Sequence, residues 1–377
     1  MKNVVLFGAS GNIGKQTLEI LKTNKNKFKL IAISVGKRIN DLETILEEFK
    51  DIKTVYSSVS IENLKNKFTK INFVSNNIEE LIYNDAHIIV NALSGFFGLK
   101  ITLEAIKKEK ILLNANKESF VVAGNLIQEL QQKFVKAKIY PVDSEHCAIF
   151  QCLEVDNQIN NIYLTASGGP FRNLTLEEIK NVNLKDALNH PNWNMGSKIT
   201  IDSATMFNKA FEILEAYHLF KTKNIITLVH PNSIIHSMVE FKDGSIKAQL
   251  SVPDMKQVIN YFFNYPDRVE FTNQKNLNFK ETLNLQLKEI DQNRFIPIKM
   301  ALGCLDEYNS KAICMNAANE VCVEAFLNNE IEFYQITEIV SKIFHTTQKI
   351  NYNNYNDICA FDKKVRELTI SLIKGDK

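Results

Sequence analysis

The chain has 377 residues, more than one hydrophobic core usually organises, so we expect two or three domains. Its 45 Lys and Arg residues nearly balance its 43 Asp and Glu residues, which argues against nucleic acid or an anionic membrane as a partner. The six cysteines form no C-x-x-C pair, and the first residues run directly into a strand pattern without a targeting segment. We therefore expect a cytoplasmic enzyme that acts on small molecules.

The first third of the chain alternates short apolar runs with amphipathic stretches. Strands are predicted at NVVLFGA, KLIAISV, AHIIVNAL and ILLNAN, and helices at IGKQTLEILKTN and GLKITLEAIKKEK. Strands that alternate with helices indicate βαβ units, in which helices cover both faces of a parallel sheet. The predicted fold class is α/β, with a Rossmann-like nucleotide-binding domain in residues 1–142.

Beyond residue 150 the pattern is that of a mixed sheet, followed by helices alone. Strands are predicted at NIYLTASGG, NIITLVH and SMVEFKDGSIKAQLSV, one helix at ATMFNKAFEILEAYHLF and a loop at HPNWNMGSK. FIPIKMALGCLDEYN, AICMNAANEVCVEAFLNN and YQITEIVSKIFHTT have helical periodicity. We expect an α+β catalytic domain over 143–265, a linker over 266–292 and a small helical domain over 293–377.

The segment FGASGNIG indicates a nucleotide-binding turn, because it follows a predicted strand, opens a predicted helix and has glycines at 8, 11 and 14. Glycines allow close backbone approach, and the helix N-terminus attracts a pyrophosphate. The alternative interpretation is a Gly-rich strand-to-helix turn that binds no ligand. After the second strand, where an NAD enzyme places an acid, the chain has Gly36, Lys37 and Arg38. These cations favour the 2′-phosphate of NADP. The alternative interpretation is a basic loop that only faces solvent.

The segment VDSEHCAI, residues 142–149, could hold a Ser–His hydrolase, a Cys nucleophile, a metal site or only a polar loop. If its backbone is extended, Asp143 and Glu145 point to the same side. Clustered carboxylates repel each other unless a cation joins them, and oxygen ligands favour Mg²⁺ or Mn²⁺ over zinc. No G-x-S-x-G elbow surrounds Ser144, so a nucleophilic role is disfavoured, and His146 and Cys147 are interpreted as structural.

Further polar groups could complete a site. On the helix predicted around residue 210, Asn208, Lys209 and Glu212 share one narrow arc, which points either into a site or out to water. The segment TASGGPFR can wrap a phosphate or carboxylate with its backbone. The loop HPNWNMGSK contains the only tryptophan, which either closes over a ligand or pins the loop to the core.

Seven segments combine into one pattern: GASGNIG, NANKES, VDSEHCAI, ASGGPFR, HPNWNMGSKITIDSATMFNKAFE, HPNSIIHSMVEF and MNAANEV. Together they resemble the 1-deoxy-D-xylulose 5-phosphate reductoisomerases, from the first strand to the C-terminal helices. The resemblance implies an NADPH-dependent oxidoreductase that uses Mg²⁺, Mn²⁺ or Co²⁺. It also implies a homodimer, a small sugar phosphate substrate, and 2-C-methyl-D-erythritol 4-phosphate as the product, for isoprenoid precursor synthesis. The family usually has GSTGSIG, so Ala9, Ser10 and Asn12 alter the details of phosphate contact.

Matched motif by motif, the resemblance implies a role for each site residue. The implied metal ligands are Asp143, Glu145 and Glu212, and the implied catalytic residues are Lys117, Glu145 and His190. The implied substrate contacts are Lys117, Ser144, Glu145, Ser167, His190, Trp193, Met195, Ser203, Asn208, Lys209 and Glu212, with Trp193 and Met195 in a flexible lid. The implied cofactor contacts are Gly8, Ser10, Gly11, Asn12, Ile13, Gly36, Lys37, Arg38, Asn116, Glu118 and Gly196.

Two other functions fit parts of the pattern. One is a different NADP-dependent reductase on the same scaffold, which would not be expected to keep both HPNWNMG and DSATMFNK. The other is a non-catalytic NADP-sensing or interaction protein, which has no need for three clustered carboxylates. Metal-dependent NADPH oxidation distinguishes these functions, because a sensor gives none and another reductase requires a different substrate.

Overall fold

A computed structural model describes residues 1–193, 195–306 and 310–375 of the chain, which divides into two compact units. Unit 1 comprises Met1–Asn116, Ile127–Cys147 and Asp254–Lys275. Unit 2 comprises Lys117–Leu126, Ala148–Pro253 and Asn276–Lys377. The predicted three-domain division, with boundaries after residues 142, 265 and 292, stays a prediction.

The strands and helices are numbered in chain order. The strands are β1 (Lys2–Phe7), β2 (Phe28–Val35), β3 (Thr54–Ser57), β4 (Asn72–Val74), β5 (Ile88–Asn91), β6 (Ile111–Asn114), β7 (Lys138–Pro141), β8 (Ile159–Ala166), β9 (Ile225–Val229), β10 (Ile235–Phe241), β11 (Ile246–Leu250) and β12 (Lys288–Glu289). The helices are α1 (Asn12–Thr23), α2 (Leu42–Glu48), α3 (Glu62–Lys67), α4 (Leu99–Lys107), α5 (Glu118–Lys133), α6 (Ser144–Cys152), α7 (Leu176–Ile179), α8 (Leu184–Ala187), α9 (Ser197–Thr205), α10 (Phe207–Phe220), α11 (Met255–Asn264), α12 (Ile296–Asp306), α13 (Lys311–Leu327), α14 (Phe333–Thr346) and α15 (Tyr355–Lys374).

Unit 1 is organised around a parallel sheet of seven strands in the order β4-β3-β2-β1-β5-β6-β7. The central strands are largely apolar, and Val5, Ile31 and Ile89 are fully buried, because helices cover both faces of such a sheet. The strand order reverses between β1 and β5, and ligands of this fold bind beyond the carboxyl ends of the strands at such a point. The predicted α/β class is confirmed.

Helix α11 belongs to unit 1 although it comes late in the chain. Its Asp254 N-cap accepts a hydrogen bond from the Lys256 backbone N–H at 2.9 Å. The ring of Phe263 meets Phe28 edge-on at 5.0 Å between centroids, and Phe262 stacks on Tyr140 at 5.2 Å. Burial of this aromatic face attaches the helix to the parallel sheet.

Unit 2 contains a mixed sheet in the order β11-β10-β8-β9-β12, as the sequence predicts. Strands β8 and β9 pair in parallel, whereas β10 pairs antiparallel with both β8 and β11. The hairpin between β10 and β11 turns at Gly244, whose φ of +84° favours glycine. Strand β12 falls within the predicted linker and pairs with β9.

The prediction of one continuous helix from Ala204 to Phe220 is wrong. Helix α9 ends at Thr205 and α10 begins at Phe207, because Met206 between them adopts the left-handed conformation with φ +70°. This conformation is unfavourable for a residue with a side chain. The Met206 side chain is almost fully buried, and its packing offsets that cost. The break places Ser203 and Asn208 on different helices.

The C-terminal part of unit 2 is helical. Helices α12, α13 and α14 confirm the three predicted helices, although the first predicted pattern extends into residues 307–309, which lie outside the described residues. Helix α15 was not predicted, since half of its residues are polar, but Ile358, Phe361 and Val365 form a buried face at helical spacing. No helix in the described ranges is long and apolar enough to span a bilayer.

Candidate active site

The turn from β1 into α1 requires glycine at two positions. Gly8 has φ +81°, and a Cβ there would lie 2.5 Å from the Ala92 carbonyl oxygen. A Cβ at Gly14 would overlap the Gly8 carbonyl oxygen. The Gly8 N–H donates to Ser34 Oγ at 2.9 Å, which fixes the loop to β2. The backbone itself therefore forms the surface at the carboxyl end of β1, as a dinucleotide cradle requires.

The N-terminus of α1 continues this surface. Its N-cap is Gly11, which has no side chain to cover the first backbone N–H groups, and no acid in the first turn opposes the helix dipole. Ser10 is buried in the same turn, followed by Asn12 and Ile13. Backbone donors and a positive dipole end suit the pyrophosphate of a dinucleotide.

The basic loop after β2 is exposed. Gly36, Lys37 and Arg38 all face solvent, and a Cβ at Gly36 would meet no atom within 4 Å. Within the described ranges neither cation pairs with an acid, and the nearby Asp41 carboxylate binds Lys15 Nζ at 2.5 Å. The two charges are therefore available to a phosphate.

Asn116 is fully buried between β6 and α5. Its Nδ2 donates to the carbonyl oxygens of Leu93 at 3.1 Å and Gly95 at 2.8 Å. A Cβ at Gly98 would lie 2.6 Å from the Asn116 Nδ2 atom. Asn116 therefore holds the loop after β5, which lies beside the Gly8 loop at the Ala92 carbonyl.

The segment VDSEHCAI is a strand-to-helix turn. The condition of an extended backbone at Glu145 is not met, because β7 ends at Pro141 and Glu145 lies in the first turn of α6. Asp143 Oδ1 accepts the Glu145 backbone N–H at 3.2 Å, which starts the helix. Ser144 Oγ donates to Glu145 Oε2 at 2.5 Å. Both carboxylates are half-buried, whereas His146 is fully buried with Nδ1 3.3 Å from Asp143 Oδ1.

The polar stripe of α10 faces the interior of unit 2. Lys117 Nζ donates to Asn208 Oδ1 at 2.8 Å and lies 3.0 Å from Glu212 Oε1. Asn208 Nδ2 donates to Glu212 Oε1 at 2.5 Å, and Lys209 pairs with Glu212 Oε2. Lys117, Lys209 and Glu212 are all buried, which excludes a solvated face for the two α10 side chains. The stripe is therefore part of a buried network of charges around the Glu212 carboxylate.

Ser167 and His190 are linked after β8. The two backbone N–H groups of Asn192 and Trp193 donate to His190 Nδ1 at 3.2 and 3.1 Å. The ring proton therefore lies on Nε2, which donates to Ser167 Oγ at 3.2 Å. Ser167 Oγ also accepts the Gly169 N–H at 3.2 Å, so its own proton takes part in neither of these hydrogen bonds.

The predicted lid is anchored at one end. Asn192 Nδ2 donates to the Pro231 carbonyl at 2.6 Å, and the Trp193 ring lies 6.2 Å from the His236 ring. Met195 and Gly196 lead into α9, while Asn194 lies outside the described residues. Trp193 therefore lies against β10 of the mixed sheet in unit 2.

Ser203 lies on α9 close to the Ser167 loop. A Cβ at Gly169 would lie 2.9 Å from the Ser203 carbonyl oxygen, and Gly169 has φ +68°. Only glycine permits this approach, so the chain brings two predicted phosphate contacts to one place in unit 2.

Lys198 and Asp202, which the sequence patterns did not indicate as site residues, form a buried network with Glu118. Lys198 Nζ lies 2.7 Å from Glu118 Oε1 and 2.8 Å from Asp202 Oδ2. Burial alone would raise the pKa of Glu118, but the Lys198 ammonium brings that pKa below its usual value. Burial raises the pKa of Asp202 despite the same cation. The i, i+4 spacing of Lys198 and Asp202 was the available sequence signal.

Comparison with protein families gives consistent matches. Residues 4–124 match the family described as 1-deoxy-D-xylulose 5-phosphate reductoisomerase, and residues 139–220 match its C-terminal domain. Residues 250–368 match a family described as DXP reductoisomerase C-terminal domain. The chain is 42% identical to the 1-deoxy-D-xylulose 5-phosphate reductoisomerase of Bacillus cereus (strain AH187), over 99% of this chain and 100% of the relative. The enzyme of that name from Halalkalibacterium halodurans is 41% identical with the same coverage.

Solved structures agree with these matches. A crystal structure of DOX-P reductoisomerase in complex with NADPH, fosmidomycin and magnesium has a TM-score of 0.93 and 35% identity, over 99% of this chain and 98% of that chain. The 1-deoxy-D-xylulose 5-phosphate reductoisomerase from Zymomonas mobilis in complex with NADPH has a TM-score of 0.90 and 35% identity, over 99% of each chain. The similarity therefore extends over the whole fold.

Proposed function

The chain belongs to the 1-deoxy-D-xylulose 5-phosphate reductoisomerase family, and from this membership we propose how its residues divide the reaction. The reaction is the NADPH- and metal-dependent conversion of 1-deoxy-D-xylulose 5-phosphate to 2-C-methyl-D-erythritol 4-phosphate, in isoprenoid precursor synthesis. The observation that carries this assignment is the likeness, over 99% of the chain, to a relative solved with NADPH and magnesium.

Asp143, Glu145 and Glu212 are the proposed metal ligands. All three offer carboxylate oxygen, the donor that hard divalent ions prefer, so Mg²⁺, Mn²⁺ or Co²⁺ fits better than zinc. Asp143 immediately precedes α6 and Glu145 lies in its first turn; both are half-buried, and Ser144 orients the Glu145 carboxylate. A bound ion supplies Lewis-acid polarisation of the substrate carbonyl.

Lys117, Glu145 and His190 are the proposed catalytic residues. Asn208 and Glu212 hold Lys117 Nζ from two sides, so the amine is presented at a fixed position for hydrogen bonding or proton transfer. His190 is held as the Nε2–H tautomer by two backbone N–H groups and acts as a hydrogen-bond donor. Ser144 contacts the substrate beside Glu145.

Ser167, Ser203, Asn208 and Lys209 are proposed to bind the substrate phosphate. The Ser167 hydroxyl has a proton to donate, and Lys209 brings a buried positive charge. Charge-assisted hydrogen bonds to phosphate are among the stronger ones in proteins. Binding energy from this remote group holds the reacting carbons in place.

The nucleotide is proposed to bind at the Gly8 loop, with Ser10, Gly11, Asn12 and Ile13 at its pyrophosphate. Lys37 and Arg38, next to Gly36, recognise the 2′-phosphate, and the further proposed contacts are Asn116, Glu118 and Gly196. NADPH supplies the hydride that reduces the rearranged aldehyde. Trp193 and Met195 close over the ligands and exclude water.

We also propose a homodimer that forms through β11. This strand is the edge of the mixed sheet, and its residues Ile246 and Leu250 are 51% and 39% exposed. An exposed edge with apolar side chains favours pairing with another strand, and a second copy supplies one. A cytoplasmic location is part of the same proposal, since none of the six cysteines, all of which are described, forms a disulfide.

To test the assignment, the purified protein is mixed with NADPH, 1-deoxy-D-xylulose 5-phosphate and Mg²⁺ or Mn²⁺, and NADPH oxidation is measured by absorbance. The measurement is then repeated with excess chelator. We expect oxidation that the chelator abolishes and 2-C-methyl-D-erythritol 4-phosphate as the product. A folded protein that binds NADPH but does not oxidise it with this substrate would contradict the assignment.

A further inference from the structure

The motif MNAANEV lies in α13 and has no role in the site described above. Its Asn319 is fully buried, and Asn319 Nδ2 donates to Asp202 Oδ1 on α9 at 2.7 Å. Asp202 is itself almost fully buried. A hydrogen bond between two buried polar groups is costly to break, so it fixes α9 to α13 at this point.

The same aspartate connects α9 to the start of α5. Its second oxygen, Oδ2, lies 2.8 Å from Lys198 Nζ, and that ammonium lies 2.7 Å from Glu118 Oε1. Glu118, Lys198, Asp202 and Asn319 therefore form one connected set, which we name the buried clamp. The clamp joins α5, α9 and α13 within unit 2.

A neighbouring ion pair secures the α13 end of the clamp. Glu320, the next residue after Asn319, lies 2.6 Å from Arg366 Nη2 through its Oε2. Arg366 Nε also binds Asp362 Oδ2 at 2.6 Å on the same helix, α15. Helix α13 is therefore held from α15, so that Asn319 approaches Asp202 from a fixed direction.

Two members of the clamp are each adjacent in the chain to a proposed site residue. Glu118 follows Lys117, and Asp202 precedes Ser203. Lys198 lies two residues beyond Gly196, at the end of the lid. A shift of the clamp would therefore move the Lys117 amine and the Ser203 hydroxyl.

We propose that Lys198, Asp202 and Asn319 are positioning residues, which set the distance between the Lys117 amine and the Ser203 hydroxyl. The inference rests on the proposed function of those two groups. Stability alone does not account for the clamp, because apolar residues of similar volume often replace a buried ion pair without loss of stability. An ionic clamp differs from apolar packing in that its charges and hydrogen bonds have defined directions.

Four variants test the inference. Lys198→Met removes the bridging charge, Lys198→Arg restores it, and Asp202→Asn keeps the shape of the side chain but loses its charge. Lys180→Met is the matched control, because Lys180 pairs with Glu177 at 3.0 Å in the same unit and both side chains are exposed. The measurements are kcat, the KM for 1-deoxy-D-xylulose 5-phosphate, and the melting temperature.

For Lys198→Met we expect kcat/KM to fall by about 10²-fold, the usual effect of a displacement near 1 Å at a reacting group. Displacement of the Lys117 amine should lower kcat, and displacement of the Ser203 hydroxyl should raise the KM for the substrate. Lys198→Arg should recover most of the activity, Asp202→Asn should fall in the same direction, and Lys180→Met should match the wild type.

The inference is overturned if Lys198→Met and Asp202→Asn melt at lower temperature but keep wild-type kcat and KM, because the clamp is then only structural. If Lys198→Met does not fold, Asp202→Asn decides by the same criterion. A wild-type protein that does not turn over the substrate overturns the proposed function, and this inference with it, before any variant is compared.

Discussion

At the scale of single residues, the Glu212 carboxylate illustrates how surroundings determine a role. It accepts a hydrogen bond from Asn208 and pairs with Lys117 and Lys209, and it is almost fully buried. A buried carboxylate that is paired on both oxygens has a fixed orientation. Its replacement therefore affects both the proposed metal site and the two ammonium groups.

The first prediction concerns Glu212→Gln. NADPH oxidation should fall by at least about 10²-fold, because the amide offers a divalent ion no charge. The melting temperature should also fall, since breaking a buried pair costs about 3–5 kcal/mol. Steady-state kinetics and thermal denaturation measure the two effects, with the exposed Glu177→Gln as control. Preserved turnover would remove Glu212 from the metal site.

The second prediction concerns the double variant Lys37→Ala, Arg38→Ala. The KM for NADPH should rise by about 10-fold or more, as expected for lost hydrogen bonds to a charged phosphate, whereas the KM for NADH should change little. The comparison uses the same assay with both nucleotides. The control is Lys22→Ala, which removes an exposed partner of Glu48 in unit 1. Equal effects on the two nucleotides would show that these cations do not read the 2′-phosphate.

The third prediction concerns pH and His218. Burial lowers the pKa of His218 from 6.5 to about 3. Between these values the unfolded chain binds a proton that the folded protein does not, so stability is complete above pH 6.5 and declines as the pH falls. The free energy of unfolding, measured with urea, should fall less between pH 7 and pH 5 for His218→Gln than for the wild type. The expected gap is about 1.4 kcal/mol for each pH unit below pH 6.5. The exposed His345→Gln serves as control, and identical pH dependence in all three proteins would refute the assignment.

At the scale of secondary structure elements, the turn from β1 into α1 depends on backbone contacts that admit no side chain. The fourth prediction is that Gly14→Ala lowers the melting temperature and weakens NADPH binding, because the added methyl group would overlap the Gly8 carbonyl. Gly303→Ala in α12 is the control, since nothing lies within 4 Å of its Cβ and alanine favours a helix. NADPH fluorescence titration and thermal melting test this turn. Wild-type binding by Gly14→Ala would mean that the loop can take another path.

Elements also determine which site residues share a helix. The break at Met206 separates Ser203 on α9 from Asn208 on α10, although the sequence has one uninterrupted amphipathic pattern there. Helical periodicity cannot reveal a single left-handed residue whose cost is offset by the burial of its own side chain in the folded protein. The helical start at Ser144 was missed for a related reason, since the short polar turn after β7 has no long periodic pattern.

At the scale of the whole molecule, the proposed homodimer yields the fifth prediction. Sedimentation analysis should give twice the chain mass of 43.1 kDa. Replacing Ile246 and Leu250 together by Lys should shift the mass toward that of one chain, because charges on an edge strand oppose pairing. Phe279→Lys, at an exposed apolar position outside β11, should remain dimeric. A double variant that keeps the dimer mass would place the interface elsewhere.

The sequence by itself determined the α/β class, the family, the cofactor and the reaction. These conclusions rest on local patterns of neighbouring residues, such as the GASGNIG turn after an apolar strand and the acids within VDSEHCAI. Only the tertiary structure decided that the α10 stripe faces the interior, that Met206 breaks the helix, and that Lys198 meets Glu118 across 80 positions of the chain. Burial and long-range contacts arise when distant segments pack against each other, so no window of the sequence contains them.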